Sequence, residues 1–279
     1  MAAVIQQNPE QESANKSGLI ARVIASLFFP EDNRGNPTLP WKGTLLLTTM
    51  LALFVGAYRW YTHEYSFTVG LDYFDPEFST YWMSLFWVQI TVIGAAFIIG
   101  APWVWFTRPQ DPHAAMTPKK ELGIYYLILS IFVMAVLGVL VILGLFVEAD
   151  AAWHQTTIRD TDFTPTHIGL FYLVIPAAAV GLIIGMIWVH TRMPDFIGRI
   201  SVPFFIGVLA PVMIMPNLGL NEWGHTFFYA EELFAAPIHW GFVVLAWGLF
   251  AFAHADEEGL RRVRVLTTAD HSYTSSQSN

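Results

Sequence analysis

Cysteine is absent from the chain, and with it go disulfides, thiolate-bound zinc and iron–sulfur clusters. Any metal site must therefore draw on His, Asp, Glu or Asn. Charge is also scarce. Only 13% of the 279 residues are charged, about half of the roughly 25% usual in a soluble domain. That leaves too little polar surface to face water on every side. Basic residues are outnumbered, 14 against 22 acidic, for a net charge of -8; nucleic acid, which demands a basic footprint, is excluded as a partner. No Walker-type loop, dinucleotide fingerprint or serine-hydrolase elbow occurs. No solenoid-type repeat is visible either, and the polar loops are too short for a separate folded domain.

What is abundant is apolar. Hydrophobic residues make up 54%, with 11 Trp and 22 Phe, and aromatics favour membrane interfaces. A hydrocarbon core about 30 Å thick needs about 20 apolar residues in a helix. Six segments meet this, at about 43–62, 81–106, 122–147, 167–190, 197–215 and 234–254. The fifth is interrupted by Pro203 and Pro211, which a membrane helix tolerates where neighbours satisfy the freed backbone. A seventh element, about 17–29, pairs Leu19, Ile20, Val23 and Leu27 with Lys16 and Arg22; it is too short to span and suits the membrane surface. The expected fold is all-α and integral to the membrane, with six transmembrane helices and one short N-terminal interfacial helix. The expected organisation is a disordered tail at 1–16, the interfacial helix and linker at 17–42, the transmembrane domain at 43–254 and a tail at 255–279.

Charge asymmetry supplies a direction. With six spans, twelve of the 14 basic residues fall on one side and only Arg59 and Arg159 on the other. The positive-inside rule then puts both termini in the cytoplasm, and loops 63–80, 148–166 and 216–233 outside.

Five of the nine histidines invite ordinary readings. His63, His113 and His271 lie in loops or the tail, and His190 and His254 end spans, where a snorkelling or headgroup role is the default. The other four fall into two groups of matching form. Asp150 is followed four residues later by His154, and His167 comes thirteen later. Asn221 is followed four residues later by His225, and His239 comes fourteen later. The i, i+4 spacing puts each oxygen ligand and its first His on one helical face, and both second histidines open spans running the same way. Both triplets therefore reach the same face of the membrane. Interfacial hydrogen bonding explains one such histidine well; it explains two matched triplets poorly. Imidazole suits copper, iron and zinc, and two His with a carboxylate also suits non-haem iron; spacing does not choose between them. Glu148, Asp160, Asp162, Glu231 and Glu232 are candidates for supporting carboxylates or for solvated loop charges. Trp153 and Trp223, each beside a candidate ligand, suit interfacial anchors or walls of a site.

The stretch WHQTTIRDTDFTPTH, Trp153 to His167, and the stretch PNLGLNEWGHTFFYAEELFAAPIHWGF, Pro216 to Phe242, resemble the C subunit of the copper membrane monooxygenases. That family oxidises methane, short alkanes or ammonia. YFDPEFSTYWM, Tyr73 to Met83, adds weaker support. The resemblance covers about 147–250 strongly; the first seventy residues and the tail after about 254 match only in general character. It implies copper as the cofactor, and Asp150, His154 and His167 as one metal site. Asn221, His225 and His239 match the second, expected to be the catalytic one because a neutral amide leaves a more open position. It also implies A and B partner subunits in a trimer of three-subunit units, a quinol reductant, O₂ and a small gaseous substrate, all in the membrane lipid of a bacterial cell. Ala149 stands where the family often has Gln, and Thr166 where it often has Ser. Neither removes a ligand, but they leave the substrate open: methane or a short alkane first, ammonia second. A reading of another class, a transporter or channel-like protein with metal-stabilised outer loops, draws on the interrupted fifth span. Against it, no inverted repeat and no charged pair deep in a span is visible.

Overall fold

The computed structural model describes residues 9–157, 163–206 and 253–276. Among them all regular structure is helical, apart from one isolated bridge between Glu31 and Pro37. The long helices are α1 (Pro9–Phe28), α2 (Trp41–Tyr65), α3 (Pro76–Phe106), α4 (Pro118–Thr157), α5 (Pro165–Arg192) and α6 (Ala253–Ser276); Pro112–Ala115 and Pro194–Phe196 are single short turns. Among the described residues three helices, α2, α3 and α5, are long and apolar enough to cross a membrane. Most of their surface stays uncovered by the rest of the chain: Leu45, Leu53, Ile98 and Ile99 are exposed. Such faces are stable only against lipid or neighbouring apolar helices. The chain is an all-α membrane protein.

Proline positions explain several of the helix starts. Pro76, Pro118 and Pro165 open helices, where the missing N–H would be unsatisfied in any case. Helix α4 departs most from its sequence expectation. It continues ten residues past the apolar segment 122–147, and its 40 residues extend roughly 60 Å, about twice a hydrocarbon core. The reason is that hydropathy falls at Glu148 but helix propensity does not: Glu148 to Thr157 contains no Gly or Pro. At the amino end, α1 begins at Pro9, inside the stretch 1–16 expected to be disordered, and α6 gives helical form to most of the expected tail 255–279. Residues 207–252 lie outside the described residues, and with them nearly half of the fifth expected span and almost all of the sixth; of the fifth, 197–201 is non-helical, with Gly198 at φ 77°, and 202–206 is helical.

Helices α3 and α5 pack along each other, α2 lies along α4, and α6 docks on α4. Gly100 on α3 makes the first contact close: a Cβ there would stand 2.9 Å from Ile184 Cδ1, the use of small residues typical of membrane helices. Two π-helical turns occur among the described residues, Ser79–Met83 in α3 and Leu170–Val174 in α5. The second precedes Pro176, which lacks the N–H for Tyr172 and would crowd its carbonyl in a regular helix. The Ile175 N–H bonds Leu170 O instead, a five-residue step that absorbs the misfit.

Apolar packing is local rather than central. Phe78, Trp82 and Ile168 form one buried cluster, and Tyr58, Phe146 and Leu170 a second. A third, around Ile124, Tyr125, Val189 and Met193, lies toward the opposite end. Charges tie that end together. Glu121 accepts two hydrogen bonds from the Arg262 guanidinium, at 2.8 and 3.0 Å, and Arg199 donates to Glu258 at 3.1 Å. His190, a candidate for snorkelling, instead accepts the Ser201 N–H on Nε2 at 3.2 Å.

Candidate metal centre

The segment of α4 beyond its apolar span carries Asp150 and His154 one turn apart, and the first turn of α5 carries His167. The Thr164–Pro165 pair explains why α5 starts there. Thr164 is the N-cap and its hydroxyl accepts the His167 N–H at 3.2 Å; Pro165 takes the first helical position. Residues Thr164 through Gly169 are all buried. The cap therefore sets both where the helix begins and where the His167 ring emerges.

Ligand atoms from Asp150, His154 and His167 all lie within 4.8 Å of one another. Asp150 Oδ1 is 3.3 Å from His167 Nε2 and 3.5 Å from His154 Nδ1. The two imidazole centroids are 5.0 Å apart. His154 Nδ1 also lies 2.8 Å from the Asp150 carbonyl oxygen; donation there leaves the ring's lone pair on Nε2. A carboxylate this enclosed is stable only when partnered. Thr166 Oγ1 donates to Asp150 Oδ1 at 2.6 Å. Burial works to raise the Asp150 carboxyl, but His167, then His154 and the Thr166 hydroxyl, outweigh it and hold it below the usual carboxylate range.

Aromatic walls surround the triad. Trp153 is fully buried, so it is a wall and not an exposed interfacial anchor. Its ring stands 5.0 Å from His154, and its indole N–H donates to Ser66 O at 2.6 Å. Phe171 meets His167 edge-on at 4.8 Å. Gly169 lets the α5 backbone approach closely, since a Cβ there would stand 2.7 Å from Phe146. Glu148, one candidate for support, is ion-paired with Arg59 at 3.0 Å instead.

Sequence reasoning passed over Gln89, which is buried in the middle of α3 and donates through Nε2 to Ile168 O at 2.6 Å. The signal was available: an amide deep in an apolar span demands a partner. Gln89 ties α3 to the residue after His167, and so fixes the backbone that carries the candidate ligand. Gln89→Leu is expected to lower metal retention at the triad about tenfold, the lower bound for losing a supporting contact. Equilibrium dialysis against a chelator would measure it, and unchanged retention would remove Gln89 from that role.

Asn221, His225 and His239 lie outside the described residues, as do Trp223, Glu231, Glu232, Asp160 and Asp162. Among the described residues, the structure thus brings together one of the two triplets read from spacing.

These features describe a membrane protein of several long helices that carries, at one end of them, a His₂-carboxylate cluster suited to a metal. Residues 33–269 match the family model for the C subunit of ammonia monooxygenase/methane monooxygenase, and the chain belongs to that family. The match begins well ahead of the motif-bearing region and takes in α2, α3 and α4. No curated protein matches the chain. Membership makes the chain part of a multi-subunit membrane monooxygenase, and favours that reading over a transporter.

Proposed function

We propose that this chain is a copper-holding subunit of a monooxygenase that hydroxylates methane or a short alkane, working with A and B subunits in a trimer of three-subunit units. The observation carrying this reading is the convergence of Asp150, His154 and His167 within 4.8 Å. The donor set fits the metal: two imidazoles and a carboxylate, buried and held by Thr164, Thr166 and the Asp150 carbonyl. Imidazole also suits iron and zinc, so copper rests on the family resemblance. When bound, copper supplies the redox chemistry by which one atom of O₂ enters the substrate and the other leaves as water, with a quinol as electron source.

The chain's own residues do the rest. Asp150 contributes the negative charge that favours a cation. Thr166 orients its carboxylate by hydrogen bonding one oxygen, and the Thr164 cap and Gln89 fix the entry of His167. Trp153 and Phe171 keep bulk water from the cluster, which strengthens every polar contact within it.

Asn221, His225 and His239 form the second, catalytic site in this proposal. A neutral amide oxygen binds a cation less firmly than a carboxylate, so this site is the more labile and keeps a position open. Graded metal removal from the complex in lipid nanodiscs is expected to empty it before the Asp150 site, with activity lost in step; the reverse order would refute the assignment. The class of substrate is tested by O₂ consumption of the intact complex on methane, butane and ammonia. Consumption with ammonia alone would replace the alkane reading.

The orientation we propose has both termini cytoplasmic and the Asp150 cluster toward the outer face. What supports it is the charge distribution: Lys119, Arg192, Arg199 and Arg262 share the end remote from Asp150, where positive charge is retained. Thr68→Cys, on the exposed loop after α2, is expected to react with an impermeant thiol reagent in intact cells. Gln110→Cys, on the loop after α3, should react only after lysis. The opposite pattern would invert the topology.

A further inference from the structure

At the end of the helices remote from the candidate metal centre, a groove of about 680 Å³ runs between α4, the α1–α2 linker and Trp188 of α5. Its mouth carries Lys119 and Lys120, both exposed, and Glu31. Its wall is an apolar stripe on one face of α4, Gly123, Leu127 and Ile131, completed by Phe29. Residues four apart lie along one helical face, so the stripe is continuous. From Lys120 to Ile131 is a rise of roughly 16 Å, about half of a hydrocarbon core roughly 30 Å thick.

We propose that this groove binds an anionic glycerophospholipid, with its phosphate between Lys119 and Lys120 and one acyl chain along Gly123, Leu127 and Ile131. The length of the apolar wall matches one leaflet. The charge at the mouth matches an anionic headgroup. Among the described residues, Lys119 Nζ reaches Gly35 O at 3.5 Å and Lys120 Nζ reaches Ala115 O at 3.4 Å. Both contacts are long, and an ammonium has three donors, so each lysine retains capacity for phosphate oxygens. Glu31 is the one carboxylate among the described residues that line the mouth. Glu121, beside the lysines in sequence, is engaged by the Arg262 guanidinium and does not neutralise them. A free phosphate would use the lysines but gain nothing from the apolar wall. The larger groove between α2 and α4, about 880 Å³, makes the contrast: its one charged lining residue among those described, Arg59, is ion-paired with Glu148, and nothing there selects a headgroup.

The test uses the assembled complex in nanodiscs of phosphatidylcholine mixed with phosphatidylglycerol, transferred to detergent, with retained lipid counted by mass spectrometry. The wild-type complex is expected to retain phosphatidylglycerol over phosphatidylcholine. Each lysine near an anionic headgroup contributes about fivefold in affinity, so Lys119→Gln/Lys120→Gln should weaken retention by roughly 25-fold. Gly123→Leu fills the groove without changing charge and should also release the lipid. Should that variant fail to assemble, the two exposed lysines alone decide the matter. Equal retention of both lipids by the wild type would overturn the proposal, as would phosphatidylglycerol retention unaffected by the lysine changes. Displacement of the lipid by inorganic phosphate would overturn it too, by reducing the site to an anion contact.

Discussion

Asp150→Asn is expected to empty the candidate metal centre while leaving the complex assembled. The substitution keeps the shape of the side chain but removes its negative charge, and with it the main electrostatic attraction for a cation. Asp150 Oδ1 lies within 3.3–3.5 Å of nitrogens of both histidines and accepts from Thr166, so an amide also disturbs the hydrogen bonds that orient the group. Changes to merely supporting residues already weaken metal sites by about 10–100-fold; a ligand change should reach at least the upper part of that range. His154→Ala and His167→Ala should behave alike, because a cluster of three donors does not survive as two. Metal per complex, measured by mass spectrometry after chelator dialysis, is the readout. Retention and turnover both unchanged in Asp150→Asn and His154→Ala would exclude this cluster as a metal site.

The second large effect is expected at the opposite end of α4. Arg262→Ala leaves the Glu121 carboxylate, 4% exposed, without its bidentate partner. Breaking a fully buried pair costs about 3–5 kcal/mol. The Arg262 side chain is 27% exposed, so solvent moderates the loss toward about 2–3 kcal/mol. The consequence should be local: α6 undocks from α4, and limited proteolysis cuts within Ala253–Ser276 before any other helix. Arg262→Lys, which keeps charge but not the two-pronged geometry, should be intermediate. Replacing both partners with apolar residues of similar size should recover much of the docking, since no unpaired charge remains. An unaltered cleavage pattern in Arg262→Ala would mean that the ion pair contributes little and that α6 is held by Ala255 and Gly259 packing alone.

The class of fold and the identity of the ligand candidates were legible in the amino-acid order. Hydropathy runs near bilayer length declare membrane helices whatever their packing, because lipid demands that each span satisfy its own backbone. The i, i+4 spacing of Asp150 and His154 placed both on one face before any contact was known, whereas hydropathy put the start of the next span at about 167 and the Thr164–Pro165 cap begins that helix at Pro165. What lies across the gaps was settled only by folding. That His167 comes back against Asp150 depends on the continuation of α4 past its apolar stretch, where hydropathy reported an end and helix propensity did not. That Gln89 reaches the Ile168 carbonyl depends on the pairing of α3 with α5, for which an apolar helix carries almost no sequence signal. The same holds for Arg262 and Glu121, 141 residues apart in the chain. Local rules govern which residues share a helix face. Long-range proximity emerges only when helices that are nearly uniform in hydrophobicity select one another by shape, and that selection is a property of packed surfaces rather than of any single segment.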